Sequence, residues 1–371
     1  MRIILSPVGT SILTNLAGDQ RLLLNKYANA SESQTPPDVR LLIQNLSDQV
    51  QNRLSQAQPD ALRKASAELN GILGLYKGNL PVTSVDTHWL IATDTYQGQA
   101  AARIAQGFLQ QYFPDTQTFT PAGLSTHDKA AFMSGIKELL QWCDETLLGY
   151  RISGYEIIFN LTGGFKSLQG YLNTIGMFYA DEISYIFESG DELITIPRMP
   201  IRLETEIFEK NAPLFLQLSQ AEDGLPSDTL SAIPDVMLDR FDNRCLLSTW
   251  GQLVWNNTKE KILSARLTTL PMIAYEESFR RDFQDNTQAR EKVKLQETVA
   301  KISCLLQEND GDISCLKGGR GGGILYDNFS GKNSHLGHFR LDQGRRVSAE
   351  YIHHTLRLRH FGPHNYVNDN P

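Results

Sequence analysis

Residues 157–170 read IIFNLTGGFKSLQG. The apolar run predicts a buried strand, and the Thr-Gly-Gly turn after it predicts the start of a helix that carries Lys166 and Ser167. Two glycines let the backbone come close to a ligand, the first N–H groups of the helix are free to donate, and the lysine adds a positive charge. The stretch therefore predicts a binding site for an anionic group.

The spacing in this stretch differs from the two common phosphate-binding motifs. A P-loop has four residues between its first glycine and its Gly-Lys pair, and the dinucleotide fingerprint has its own spacing of glycines. Residues 157–170 match neither pattern. We therefore expect an anion other than ATP or NAD.

The chain around this stretch, up to about residue 203, alternates between apolar strands and helices. Such alternation predicts an α/β Rossmann-like domain with a mainly parallel sheet, in which ligands bind at the carboxyl ends of the strands. Polar turns follow three of the predicted strands and would form one pocket if those strands are neighbours. These turns are residues 6–15, 93–95 and 162–166.

Composition excludes several classes of protein. The four cysteines, Cys143, Cys245, Cys304 and Cys315, are far apart, which excludes a Cys-x-x-Cys zinc site and a disulfide framework. No run of about 18 apolar residues is present, and MRIILSPVG at the start resembles a first strand more than a signal peptide. We therefore expect a cytoplasmic protein with no membrane partner.

Charge is distributed unevenly along the chain, whose net charge is −7. Residues 313–371 contain eight Lys or Arg and four Asp or Glu, a balance of 8 − 4 = +4, and six of the eight histidines. A basic, histidine-rich end on an acidic body suggests a polyanionic substrate, although a solvated basic face would have the same composition.

Two motifs in order, SPVGTSILTN at residues 6–15 and NLTGGFKS at residues 160–167, resemble the CARF sensor domain of CRISPR-associated effectors. The resemblance implies a homodimer that binds cyclic oligoadenylate across its two-fold axis. Cyclic tetra-adenylate suits that symmetry most simply, and a ring of six also satisfies it. Some CARF domains also hydrolyse their ring, a ring-nuclease activity that stays open here. The positions that match the ligand site are Gly9, Thr10, Ser11, Thr93, Asp94, Thr95, Thr162, Gly163, Gly164, Phe165 and Lys166.

Three domains are predicted, with boundaries 1–203, 204–267 and 268–371. The middle segment shows no strand alternation and is interpreted as a small helical linker domain, with Trp250 and Trp255 in its core. The last segment has two predicted helices followed by short β-like runs. In residues 355–360, period-two alternation places Arg357 and Arg359 on one face, and an arginine-lined face suits phosphodiesters.

The last segment resembles the RelE toxin superfamily, through LKG at residues 316–318, FRLDQGRR at 339–346 and RHFGPHNY at 359–366. The resemblance implies an α+β domain with an antiparallel sheet, which acts as a metal-free ribonuclease on mRNA in the ribosomal A site. The histidine density departs from most members, which use lysine, arginine and tyrosine. The candidate catalytic residues are His338, Arg340, Arg346, His354, Arg359, His360, His364 and Tyr366.

Metal-free cleavage needs a base for the attacking 2′-hydroxyl, an acid for the leaving 5′-oxygen and cations for the charged intermediate. Histidine, tyrosine and arginine can fill these roles without a cofactor. Together the two resemblances imply an mRNA interferase of type III CRISPR defence that cyclic oligoadenylate activates and that blocks translation.

Three alternatives stay open at this point. His335-x-x-His338 and His353-His354 could be zinc ligands, but cysteine or carboxylate partners at regular spacing are missing. A HEPN ribonuclease, which cuts free RNA, has an Arg–His signature on a helix, and two pairs have its spacing: Arg346 to His353 and Arg359 to His364. A ligand-gated transcription regulator could read DNA through residues 243–270, which are not strongly basic.

Overall fold

The computed structural model describes residues 1–81, 84–187, 192–200, 205–317 and 324–371. It divides the chain into two compact units, Met1–Ile201 and Arg202–Pro371. The predicted boundary at residues 203 and 204 and the glycine run at residues 318–323 lie outside the described residues.

A six-stranded sheet forms the centre of the first unit. Its strands are β1 (Arg2–Pro7), β2 (Thr87–Ile91), β3 (Thr116–Phe119), β4 (Glu156–Asn160), β5 (Glu182–Ile186) and β6 (Leu193–Pro197). They lie in the order β3-β2-β1-β4-β5-β6, and every neighbouring pair is parallel except β5 with β6. The continuous apolar runs predict this arrangement because a parallel sheet is covered on both faces. Ile3, Ile4 and Leu5 are accordingly fully buried.

Helices cover the sheet of the first unit. They are α1 (Ser11–Thr14), α2 (Arg21–Lys26), α3 (Pro37–Leu54), α4 (Pro59–Ala65), α5 (Ala67–Leu75), α6 (Tyr96–Leu109), α7 (Lys129–Trp142), α8 (Leu148–Ile152) and α9 (Lys166–Tyr179). α7 begins after Asp128, which caps it by accepting a bond from the Ala131 amide at 2.8 Å. It then passes through a π-helical turn, Cys143–Leu147, into α8.

The second unit contains two sheets. Its strands are β7 (Leu225–Pro226), β8 (Leu238–Phe241), β9 (Arg244–Leu247), β10 (Ile273–Tyr275), β11 (Tyr326–Asn328), β12 (Leu336–Arg340), β13 (Arg345–Ile352) and β14 (Thr355–Pro363). Its helices are α10 (Glu206–Lys210), α11 (Ala212–Leu218), α12 (Thr249–Ala265), α13 (Glu277–Asp285), α14 (Ala289–Glu308) and α15 (His364–Asp369). The larger sheet has the order β10-β14-β13-β12-β11 and is antiparallel except where β10 pairs with β14.

The segment interpreted as a helical linker also contains strands. β7, β9 and β8 form a three-stranded antiparallel sheet within it. These strands are two to four residues long, too short for period-two alternation to be recognised in the sequence. The prediction that this segment has no strands is therefore wrong.

Residues 205–317 and 324–371 share one hydrophobic core. Trp255 of α12 is fully buried and stacks on Phe215 with ring centroids 5.7 Å apart. The same apolar cluster includes Leu295 of α14 and Phe339 of β12. The buried amide of Gln296 donates to the carbonyl oxygens of Leu263 and Arg266 and accepts from the Thr268 amide. These bonds join the segments on either side of residue 268.

The described residues thus form a mixed α/β protein with one mainly parallel sheet, one mainly antiparallel sheet and one small antiparallel sheet. None of the helices within the described ranges combines the length and the apolar character that crossing a bilayer requires.

Candidate functional site

The first unit has a pocket of about 640 Å³ at the carboxyl ends of its central strands. β1 lies between β2 and β4, so the loops that follow these three strands meet at one edge of the sheet. The sequence predicted this convergence on condition that the strands are neighbours, and they are. Nine of the predicted ligand residues line the pocket, namely Gly9, Thr10, Ser11, Thr93, Thr162, Gly163, Gly164, Phe165 and Lys166.

Asp94 and Thr95 lie outside this pocket and line a neighbouring depression. The Thr95 hydroxyl caps α6 by accepting a bond from the Gly98 amide at 3.0 Å. Asp94 accepts a bond from the Gly123 amide at 2.9 Å. Both side chains hold the local backbone, which explains the residue types at this turn without a ligand.

The pocket offers charged and polar groups to an anion. Lys166 is the first residue of α9 and is exposed, and Arg21 of α2 also lines the pocket. The hydroxyl oxygens of Ser11 and Thr162 are buried and have no hydrogen-bond partner among the described residues. Sequence reasoning missed Arg21, because nothing in α2 resembles a binding motif.

Sequence reasoning also missed Glu68, an acidic residue of α5 that lines the same pocket. Its Oε1 accepts bonds from the backbone amides of Gly9, at 2.5 Å, and Gly164, at 3.2 Å. Burial raises the pKa of Glu68; the bonds from Gly9, its own amide, Ser66 and Gly164 oppose that shift. Two amides expected to face a ligand therefore already have an acceptor.

The second unit carries a polar face on its larger sheet. Cross-strand register places His338 of β12 opposite Ser348 of β13, and Ser348 opposite His360 of β14. In the next row, Arg340 lies opposite Arg346. Directly opposite residues in antiparallel strands have Cα atoms about 5 Å apart. Four predicted catalytic residues therefore lie together, and we call His338, Arg340, Arg346 and His360 the basic face.

A β-bulge brings His360 onto this face. Ala349 pairs with Leu358 and Ser348 pairs with His360, so Arg359 is an extra residue between the two pairs. Unbroken period-two alternation would place His360 on the side of buried Leu356 and Leu358. The bulge reverses the alternation, so that Phe361 enters the core instead.

Asp282 of α13 connects His360 with Tyr366 of α15. The Asp282 carboxylate lies 3.1 Å from His360 Nδ1 and accepts bonds from the Tyr366 hydroxyl and the Phe361 amide, both at 2.9 Å. Burial, with the bond to Asp282 and its charge, raises the pKa of Tyr366 to about 12. Because Asp282 precedes His360 by 78 residues, no motif could have linked the two.

The start of α15 lies beside His338 and Arg346 of the basic face. Burial, together with the charges of Arg346, Arg340 and His364, lowers the pKa of His338, which favours its neutral form near pH 7. Arg346 donates to the Asn368 side chain at 3.1 Å. The tail after residue 364 is therefore an ordered helix beside the candidate active site.

Two of the predicted catalytic residues lie elsewhere. His354 belongs to the two-residue turn between β13 and β14, six residues from His360 along the strand, which is roughly 20 Å. The Arg359 side chain pairs with Glu276 at 3.5 Å. Within the described part of the chain, no three His, Cys, Asp or Glu side chains are grouped so that they could hold a metal ion.

Comparison with known proteins bears on the first unit. Residues 63–199 match the family described as CRISPR-associated protein (Cas_APE2256). In this stretch the chain is similar to a CRISPR-associated protein family. The match includes Glu68 and residues 162–166 of the pocket. No curated protein matches the chain. The predicted similarity to CRISPR-associated proteins is thus confirmed. The more specific resemblances to CARF domains and RelE toxins stay predictions.

Proposed function

We propose that this protein is a ribonuclease of type III CRISPR defence that cyclic oligoadenylate activates and that cleaves mRNA on the ribosome. The observation that carries the proposal is the basic face, because two histidines and two arginines lie on adjacent strands beside Tyr366. The proposed dimer binds cyclic tetra-adenylate through the pocket of the first unit and mRNA through the second unit.

Support for the sensor comes from the position and chemistry of the pocket. It lies within a unit whose residues 63–199 match a CRISPR-associated family. Lys166, Arg21 and the free hydroxyls suit a ligand with several phosphodiester groups. A two-fold dimer would present this pocket twice to a symmetric ring.

The basic face supplies the groups that metal-free cleavage needs. Neutral His338 is the proposed base that takes the proton of the 2′-hydroxyl as its oxygen attacks the phosphorus. Asp282 holds His360 through Nδ1 and so leaves Nε2 as the proposed acid, which protonates the leaving 5′-oxygen. Arg340 and Arg346 stabilise the negative charge on the phosphate oxygens. The products are a 2′,3′-cyclic phosphate and a free 5′-hydroxyl.

The HEPN alternative requires its Arg–His signature on a helix. Arg346 and Arg359 lie on β13 and β14, while His353 lies in a turn and His364 begins α15 after Gly362 and Pro363. Neither pair shares a helix, so the geometry favours the RelE-type interpretation.

Replacing His360 tests the assignment of the basic face. We expect His360→Ala to lower the rate of ligand-dependent mRNA cleavage on translating ribosomes by about 100-fold, since it removes the acid. His354→Ala is the matched control on the same hairpin and should cleave at the wild-type rate. Primer extension on a translated message measures both. Equal loss in the two variants, or none in either, would exclude this face as the active site.

A further inference from the structure

In the pocket of the first unit, the acidic side chain of Glu68 lies where an anion-binding site usually has free hydrogen-bond donors. Glu68 Oε1 accepts bonds from the Gly9 amide in the loop after β1 and from the Gly164 amide in the loop after β4. Glycine-rich loops at strand ends ordinarily keep such amides for phosphate or sulfate. Here a side chain of the protein takes them.

The glycines of these loops make room for Glu68. A Cβ atom on Gly163 would lie 2.5 Å from the Glu68 carboxyl carbon, and one on Gly9 would lie 3.2 Å from Oε1. Real Cβ atoms essentially never come within 3.0 Å of another atom, so a side chain at position 163 would require the Glu68 side chain to move. The turns are therefore shaped around the Glu68 carboxyl group.

Within the described part of the chain, no cation is paired with this carboxyl group. Glu68 is 2% exposed, and its Oε2 has no hydrogen-bond partner among the described residues. Arg21 of α2 and Lys166 of α9 are the other charged side chains among the described residues that line the pocket, and no ion pair of either with Glu68 is found there. The lining residues of α1 and of the loops that follow β1 and β4 carry no titratable side chain. When Glu68 is ionised, it therefore places a buried negative charge at the pocket.

We propose that Glu68 sets the charge specificity of the pocket. Its carboxylate excludes compact dianions from the amides of Gly9 and Gly164, and the pocket accepts ligands whose phosphates carry one charge each and are spread over a ring. A dianion meets twice the repulsion that a single charge meets at the same distance. The assignment of the ring rests on the proposed function, whereas the exclusion of dianions does not.

Protonation of Glu68 should remove this exclusion. Burial raises the pKa of Glu68, so its neutral form persists to higher pH than that of an exposed glutamate and is lost as pH rises further. Sulfate is a suitable probe because it keeps two charges over this range, and arginine and lysine side chains keep theirs. Sulfate affinity of the wild-type protein should fall as pH rises.

The test compares sulfate and cyclic tetra-adenylate by calorimetry on the full-length protein at a series of pH values, from a lower pH of about 5 to a higher pH of about 9, a range that covers the pKa values known for buried glutamates. We expect Glu68→Gln to bind sulfate at least about tenfold more tightly than wild type at the higher pH, a difference of about 1.4 kcal/mol. The gain should shrink at the lower pH. Glu138→Gln is the matched control. Glu138 also accepts a hydrogen bond from a backbone amide, that of Ala122, but it lies outside the pocket.

Sulfate affinity that Glu68→Gln leaves unchanged at the higher pH would overturn the proposal. If Glu68→Gln does not fold, the pH dependence of the wild-type protein tests the proposal. Sulfate affinity of the wild-type protein that does not fall as pH rises would also overturn the proposal. Absence of ring binding by wild type would contradict the proposed function and leave the sulfate result to decide the role of Glu68.

Discussion

At the scale of single residues, the functional groups that sequence reasoning missed are acids that act through contacts between distant segments. Asp282 lies on α13 and reaches His360 on β14, and Glu68 lies on α5 and reaches the glycine loops. Acidic residues in helices usually face solvent, so neither stood out. The resemblance to RelE toxins pointed to the arginines of the basic face, and the concentration of histidines at one end of the chain pointed to its histidines.

Lys166 belongs to the residues that the sequence did point to. We expect Lys166→Ala to weaken the binding of cyclic tetra-adenylate by about tenfold, because it removes a charge-assisted bond to a phosphate. Titration calorimetry measures the loss. Lys129→Ala, at the exposed start of α7 and outside the pocket, is the control and should bind as wild type does. Unchanged ring affinity in Lys166→Ala would remove Lys166 from the site.

At the scale of secondary-structure elements, the hairpin of β13 and β14 has an unusual turn. His353 and His354 both adopt positive φ, 48° and 60°, in a two-residue connection. Such turns favour Asn-Gly, and a non-glycine residue in the left-handed region costs about 1 kcal/mol or more. The sequence does not reveal this turn. It therefore suggested zinc ligands at both positions and a catalytic role for His354.

Replacing this turn tests the interpretation. We expect the double variant His353→Asn with His354→Gly to raise the free energy of unfolding by about 1 kcal/mol, because it relieves the strained backbone. Urea denaturation measures the gain, and mRNA cleavage should stay at the wild-type rate. Lower stability would instead mean that the packing of His354 on Gly311 outweighs the strain.

Long, continuously apolar elements were predictable and short or irregular ones were not. Ile157 and Phe159 are almost fully buried in β4, and an apolar run of this kind is the clearest signal that a sequence carries. The four-residue strand β8 and the bulge at Arg359 give no such signal. Placing His360 on the basic face therefore required the pairing register of β13 and β14.

At the scale of the whole molecule, residues 205–267 and 268–371 form one structural unit. Trp255, Phe215 and Leu263 belong to the same core as the larger sheet, and Gln296 bonds across residue 268. The domain boundary predicted at residue 268 therefore falls within one compact unit.

We expect a fragment of residues 268–371 to lack cooperative unfolding, whereas residues 202–371 unfold cooperatively. The shorter fragment loses the apolar partners of α14 and leaves the buried Gln296 amide without acceptors, each lost bond costing about 1–3 kcal/mol. Thermal unfolding followed by near-ultraviolet circular dichroism compares the two. A sharp transition in the shorter fragment would show that the two segments fold independently.

In the proposed function, a ring of adenylates switches on a nuclease that acts on translated mRNA. A ligand can switch an enzyme only if it binds the active state more tightly than the inactive one. The most direct measurement compares cleavage of one mRNA, translated or naked, with and without cyclic tetra-adenylate, and maps the cuts by primer extension. We predict cuts only with both the ring and translation, in step with codons. Equal cutting of naked RNA, or cutting without the ring, would contradict the account.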